Sequence, residues 1–192
     1  MKRAERVVLE LPGWVEGFVA AWPHSLETVE QRMALAVALS AENVARGSGG
    51  PFGAILVRES DFRLLGAGVN IVTRSCISLA HAEMVAVSMA QAAVGGWNLG
   101  AAGGVQLVTS CEPCAMCYGA VPWSGVQGLA WGARREDAEA AGFDEGDKPE
   151  DWQQALERRG ITTHGDVLRA EAAAVLEHYA RTDGTIYHPE NP

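Results

Sequence analysis

Apolar positions along residues 25–47 recur at helical spacing. Met33, Val37 and Val44 share a face, with Leu35 and Leu39 beside them, and predict an amphipathic helix. Ser25 is placed to cap it, and Glu27 and Glu30 fall in its expected first turn, where the helix dipole favours anions. The pattern changes after the break at 48–53. Residues 53–58 and 64–70 read as two strands joined by a polar turn around Glu59 to Asp61, a hairpin. A loop over 71–79 leads to a helix from residue 80 that Gly95 and Gly96 end. Val105 to Ser110 is a short buried strand. A further helix opens near Cys111, with Pro113 in its first turn and Pro122 ending or kinking it. Residues 126–132 form another strand, 135–142 a short helix and 143–151 a loop. The chain then predicts a helix over 152–160, a short strand over 161–165 and a last long helix over 167–182. Residues 1–24, with Pro12, Gly13 and Pro23, read as an irregular N-terminal arm, and the end from about 182 as a tail. Strands that alternate with helices after an initial hairpin imply parallel pairing through right-handed crossovers. The expected fold is a three-layer α/β/α domain over 25–192, with a mixed sheet of four or five strands.

Composition narrows the class. The chain has 192 residues, 48% hydrophobic and 20% charged, enough apolar side chain for one core. No apolar run is long enough to span a membrane. Glu10, Pro12 and Glu16 interrupt the apolar stretch that follows Lys2, Arg3 and Arg6, so no signal-peptide core forms and a cytoplasmic location is expected. The net charge is −9, and all of it lies in residues 136–192, which hold 14 acidic and 5 basic side chains. Such a surface is a poor partner for a nucleic-acid backbone.

The chemistry concentrates at two helix starts. Cys114 and Cys117 are three residues apart, so both sulfurs can face one way from a first helical turn, where the dipole favours thiolate. His81 opens the preceding long helix. Two thiolates and one imidazole suit one zinc ion with its fourth position open, the catalytic arrangement. Glu83 follows His81 by two residues and is of the right type to move a proton beside that position. A structural zinc knuckle is the plain rival reading, as is a four-ligand site that adds Cys111; Cys111 lies in the strand-to-helix turn and is expected to face elsewhere. Cys76 is read as an ordinary loop residue. His81-Ala82-Glu83 and Pro113-Cys114-Ala115-Met116-Cys117 together are the H-x-E and P-C-x-x-C signature of zinc nucleobase deaminases.

With these residues the chain resembles the cytidine deaminase-like superfamily, and within it the bacterial guanine deaminases. The resemblance extends over about residues 26–188 and includes 49–57, 68–73, 80–83, 109–120 and the Ala-Gly-Phe-Asp-Glu-Gly segment at 141–146. It implies that Glu83 shuttles protons and that Glu145 bonds the base edge and helps to protonate the leaving amine. It implies that Asn70 bonds the purine ring, that Phe52 and Trp123 sandwich it or line its pocket, and that Ala82 also contacts it. Tyr187 would belong to a tail that closes over the base.

The expected activity is therefore zinc-dependent deamination of guanine to xanthine and ammonia. A related aminated ring (ammeline or another amino-triazine, guanosine, cytosine) is the alternative, and deamination of tRNA adenosine a more distant one. The expected assembly is a homodimer whose tail closes either its own or the partner's site. A small nucleobase is the expected partner, with no membrane and no nucleic acid.

Overall fold

The computed structural model describes residues 4–188. The first three residues of the expected arm and the last four of the expected tail lie outside the described residues. The elements run α1 (Trp14–Ala20), α2 (Val29–Ala45), β1 (Gly53–Arg58), β2 (Arg63–Val69), α3 (Val72–Ser75), α4 (Ala82–Val94), β3 (Val105–Cys111), α5 (Ala115–Ser124), β4 (Gly128–Ala133), α6 (Arg135–Ala140), α7 (Trp152–Glu157), β5 (Thr162–His164) and α8 (Arg169–Arg181). The five strands form one mixed sheet in the order β2-β1-β3-β4-β5. β1 is antiparallel to both β2 and β3, while β3, β4 and β5 are parallel. This is the expected α/β/α fold.

Both faces of the sheet are covered, so its central strands β1, β3 and β4 are buried almost throughout rather than at alternate positions. Ile55 and Val57 of β1 turn to one side and pack with Met33, Ala36 and Leu39 of α2. Ala54 and Leu56 turn to the other side and pack with Ala82, Ala86 and Ala90 of α4. That alanine stripe lets α4 lie almost on the backbone of β2. A Cβ on Gly68 would stand 2.3 Å from the Ala82 carbonyl, and one on Gly66 would stand 2.7 Å from the Ala86 carbonyl. The close approach brings the start of α4, and so His81, beside the end of β2, where Asn70 sits.

Several boundaries differ from the sequence reading. The arm is not wholly irregular: Val15, Phe18, Val19 and Trp22 hold helical spacing, and Val15 is buried in the core beneath α1. Pro12-Gly13 precedes that helix, a place where proline is tolerated, rather than breaking the segment. Thr28, not Ser25, caps α2, in a capping box with Gln31; Ser25 donates to the Gln31 side chain at 3.0 Å instead. Pro113 lies outside α5, because Cys114 is its N-cap. Pro122 falls inside α5, and Gly125, with φ of 81°, closes the helix. The loop at 71–79 contains the single turn α3. Among the described residues no helix is long and apolar enough to cross a membrane.

Candidate active site

The site lies at one end of the sheet, where β1 begins and β2 and β3 end. Because β1 runs against its two neighbours, Phe52 before β1, Asn70 after β2 and Glu112 after β3 arrive at the same edge. The first turns of α4 and α5 follow at once. His81 is the N-cap of α4, Cys114 the N-cap of α5, and Cys117 lies three residues further on.

Their ligand atoms all lie within 4.8 Å of one another. His81 Nδ1 is 3.5 Å from Cys114 Sγ and 3.6 Å from Cys117 Sγ. A tetrahedral zinc, with bonds of about 2.3 Å to sulfur and about 2.05 Å to nitrogen, holds those atoms about 3.6 Å apart. The donor set therefore fits zinc in chemistry and in spacing. The other ring nitrogen, Nε2, faces the Tyr187 hydroxyl at 3.4 Å, which leaves Nδ1 as the ligand atom. Cys111 is buried in a separate cluster, with its Sγ 3.8 Å from the Arg134 carbonyl, and is not part of the triad. Cys76 is exposed.

The protein's own charges show why a cation belongs here. The hydrogen bond from Cys117 pulls the Cys114 thiol down to about 4; burial opposes this and the bond to His81 adds to it. The same bond to Cys114, with burial, pushes Cys117 well up. The pair thus holds one thiolate, and a dication makes it two. Burial lowers the His81 imidazole, but its bond to Cys114 and the acidic neighbours Glu83, Cys114 and Glu145 outweigh it, and the net shift is upward.

Two carboxyls line the same pocket as the triad. Glu83, in the first turn of α4, is buried, and burial with the Cys114 charge raises its carboxyl to about 7. Glu145 is also buried; burial, then Cys114 and Glu83, raise it to about 8. The Glu145 carbonyl accepts from Ala115 N at 2.9 Å, which pins its loop to the start of α5. Asn70 lines the same pocket, 1% exposed. Its Oδ1 accepts from Val72 N at 3.2 Å, and its Nδ2 donates to the Tyr187 hydroxyl at 2.7 Å. Phe52 stands edge-on to Phe143, with centroids 4.8 Å apart. Tyr187 comes from the tail of the same chain and stands 5.8 Å from the His81 ring.

Two residues expected to contact substrate, Trp123 and Ala82, are not among those that line the pocket. Trp123 is 82% exposed and does not line the pocket. It sits near the far end of α5, six residues beyond Cys117, about 240° around the helix and roughly 9 Å along its axis. Phe143 lines the pocket beside Phe52. Ala82 is fully buried, and its side chain packs in the core rather than in the pocket lining. Phe143 and Glu112, which the sequence reading does not single out, both line the pocket. Phe143 had a usable signal, since it directly precedes Asp144 and Glu145.

Behind the metal turn lies a buried ion pair. The Lys148 side chain, 2% exposed, donates to Glu112 and, at 2.6 Å, to the Pro113 carbonyl, and its Nζ lies 4.7 Å from the Trp152 ring centroid. Removing one member of such a pair leaves a buried charge unmatched. Lys148→Met is expected to lower unfolding stability by about 3–5 kcal/mol, read from urea denaturation. A loss under about 1 kcal/mol would show that Glu112 finds water or another donor instead.

This fold, with an imidazole and two thiolates at paired helix starts and a buried carboxyl beside them, defines a zinc-dependent deaminase. The family model for the cytidine and deoxycytidylate deaminase zinc-binding region matches residues 26–133, and the chain belongs to that family. Within it, the chain is 42% identical over 110 residues to guanine deaminase of Bacillus subtilis, covering 57% of this chain and 67% of that protein. It is also similar to the solved guanine deaminase of Nitrosomonas europaea, with a TM-score of 0.87 and 40% identity over 94% of this chain and 100% of the other. A tRNA-specific adenosine deaminase of Streptococcus pyogenes is 32% identical over 115 residues, 59% of this chain and 68% of its own.

Proposed function

We propose that the protein hydrolyses guanine to xanthine and ammonia. The observation that carries this reading is the pair of buried carboxyls, Glu83 and Glu145, flanking the metal triad in a pocket that also holds Asn70 and two aromatic rings. Zinc, when bound, supplies a water whose pKa is brought down from 15.7 towards about 7. Glu83 takes a proton from the attacking water and delivers it to ring nitrogen N3 as oxygen bonds to C2. Glu145 accepts hydrogen bonds from the donor-rich edge at N1–H and the C2 amine, then takes the proton of the new C2 hydroxyl and passes it to the amine as the C–N bond breaks. Ammonia leaves and C2 keeps the oxygen as a carbonyl. Asn70 orients the ring, and Phe52 and Phe143, packed edge-on against each other, form one aromatic wall beside it.

The similarity to the guanine deaminases of Bacillus and Nitrosomonas supports guanine over cytosine or an amino-triazine. Tyr187 over the pocket supports a free base over a nucleoside or a tRNA, whose ribose needs a way out. The acidic C-terminal end argues against tRNA as well. In the same reading residues 25–192 are the catalytic domain, and the protein works in the cytoplasm as a homodimer. The exposed Trp97 and Trp123, 77% and 82%, support a surface that a second copy covers.

The test is ammonia release across a panel of purines, pyrimidines and amino-triazines. Guanine is expected to be hydrolysed best; a higher kcat/KM on cytosine or ammeline sinks the assignment. Glu145→Gln is expected to lower kcat on guanine about tenfold or more with zinc content unchanged. Asp144→Asn is the control. Asp144 is exposed at the rim, accepting from Gly146 N at 2.8 Å and facing His188 Nε2 at 3.0 Å. Full activity of Glu145→Gln with a dead Asp144→Asn would reverse the two roles.

A further inference from the structure

We propose that the N-terminal arm is a positioning element of the nucleobase pocket, with Trp14 acting through Ser48 and Asn43 on Asn70; this rests on the role given to Asn70 above. Trp14 Nε1–H donates to Ser48 Oγ at 3.0 Å. The Ser48 hydroxyl donates to Asn43 Oδ1 at 2.7 Å. Asn43 Nδ2 then donates to two carbonyls, Gly50 at 2.8 Å and Asn70 at 2.9 Å. Asn43 and Asn70 are at most 1% exposed and Ser48 is 8% exposed, so water does not compete for these bonds.

Both ends of the chain of bonds are informative. At the inner end, the Gly50 carbonyl also accepts from Phe52 N at 2.9 Å, and Asn70 N donates to the Phe52 carbonyl at 3.1 Å. Asn43 therefore ties together the two backbone segments that present Phe52 and Asn70 to the pocket. The segments touch so closely that a Cβ on Gly49 would stand 1.9 Å from the Asn70 carbonyl oxygen. A shift of that carbonyl carries the Asn70 amide with it. At the outer end, Trp14 is held by Phe18, with centroids 5.7 Å apart, and by the Arg46 guanidinium 5.4 Å from its ring. The arm thus reaches the pocket without touching substrate.

Trp14→Phe keeps an aromatic ring and removes the indole donor, and Ser48→Ala removes the next link. Kinetics are measured on whichever base of the panel the wild type hydrolyses best. If that base is not guanine, the functional reading falls while the arm is still tested. Each variant is expected to raise KM about three- to tenfold, the scale of one hydrogen bond, with kcat and zinc content near wild type. In an Asn70→Ala background the same Trp14→Phe change is expected to leave KM where Asn70→Ala alone puts it. Wild-type KM in both single variants would overturn the proposal, as would an equal rise in KM with and without the Asn70 side chain.

Discussion

Glu83→Gln is expected to bind zinc at the wild-type level and to lose at least about a hundredfold in kcat, the usual scale of general acid–base catalysis. The expectation follows from where Glu83 sits. It lies in the first turn of α4, two residues after the ligand His81, yet it is not one of the three residues whose ligand atoms cluster. Its carboxyl is buried against the same pocket, and burial raises it to about 7, so in this setting the proton is held loosely near neutrality. A bound dication favours the ionised form, which accepts a proton, and the departure of charge onto substrate lets it give the proton up. Glutamine has the same length and shape but cannot carry the proton. Metal analysis and steady-state kinetics on one preparation decide the matter. Loss of zinc would make Glu83 a ligand; near-wild-type kcat would remove it from the chemistry.

The parts of this site that the sequence revealed are those whose geometry is local. Cys114 and Cys117 share one helical turn, and His81 opens the helix that Gly95 ends, so spacing alone aims them. The carboxyl at Glu145 was legible only through resemblance, because nothing in the 143–151 loop says that it folds back onto α5 through the Ala115 N–H. Trp123 shows the opposite failure. It is near Cys117 in sequence but on another face of the helix, so the resemblance points to a pocket wall where the structure has an exposed ring. Phe143 lines the pocket from the loop after α6, and only its place beside Asp144 and Glu145 hints at this in the sequence. The helix in the arm did follow a readable period, which Pro12 and Gly13 obscured. The bonds that join Trp14, Ser48, Asn43 and Asn70 are tertiary throughout, and no spacing rule reaches them.

Cys114→Ala and Cys117→Ala are each expected to abolish zinc binding and activity together and to lower the melting temperature by several degrees. Each thiolate supplies both a bond and a charge. With one removed, the remaining thiolate and imidazole leave the dication under-neutralised and held by two protein atoms, too few for the three that a catalytic zinc uses. Stability falls because the metal joins the starts of α4 and α5, and binding energy of this kind is partly folding energy. Here the loss is only partial: both helices also pack on the sheet through Ala82, Ala86 and Val121, so the fold does not depend on the metal as a zinc finger does. Cys111→Ala separates this account from a general need for buried thiols. Cys111 stands three residues before Cys114, the same spacing that separates Cys114 from Cys117, but it ends a strand and packs against Ala133 and Ala138. That variant is expected to keep its zinc and most of its activity. Zinc measured by metal analysis and melting followed by circular dichroism give both readings. Full zinc content in Cys114→Ala, or loss of zinc in Cys111→Ala, would assign the ligands wrongly and move the metal away from the pocket that Glu83 and Glu145 face.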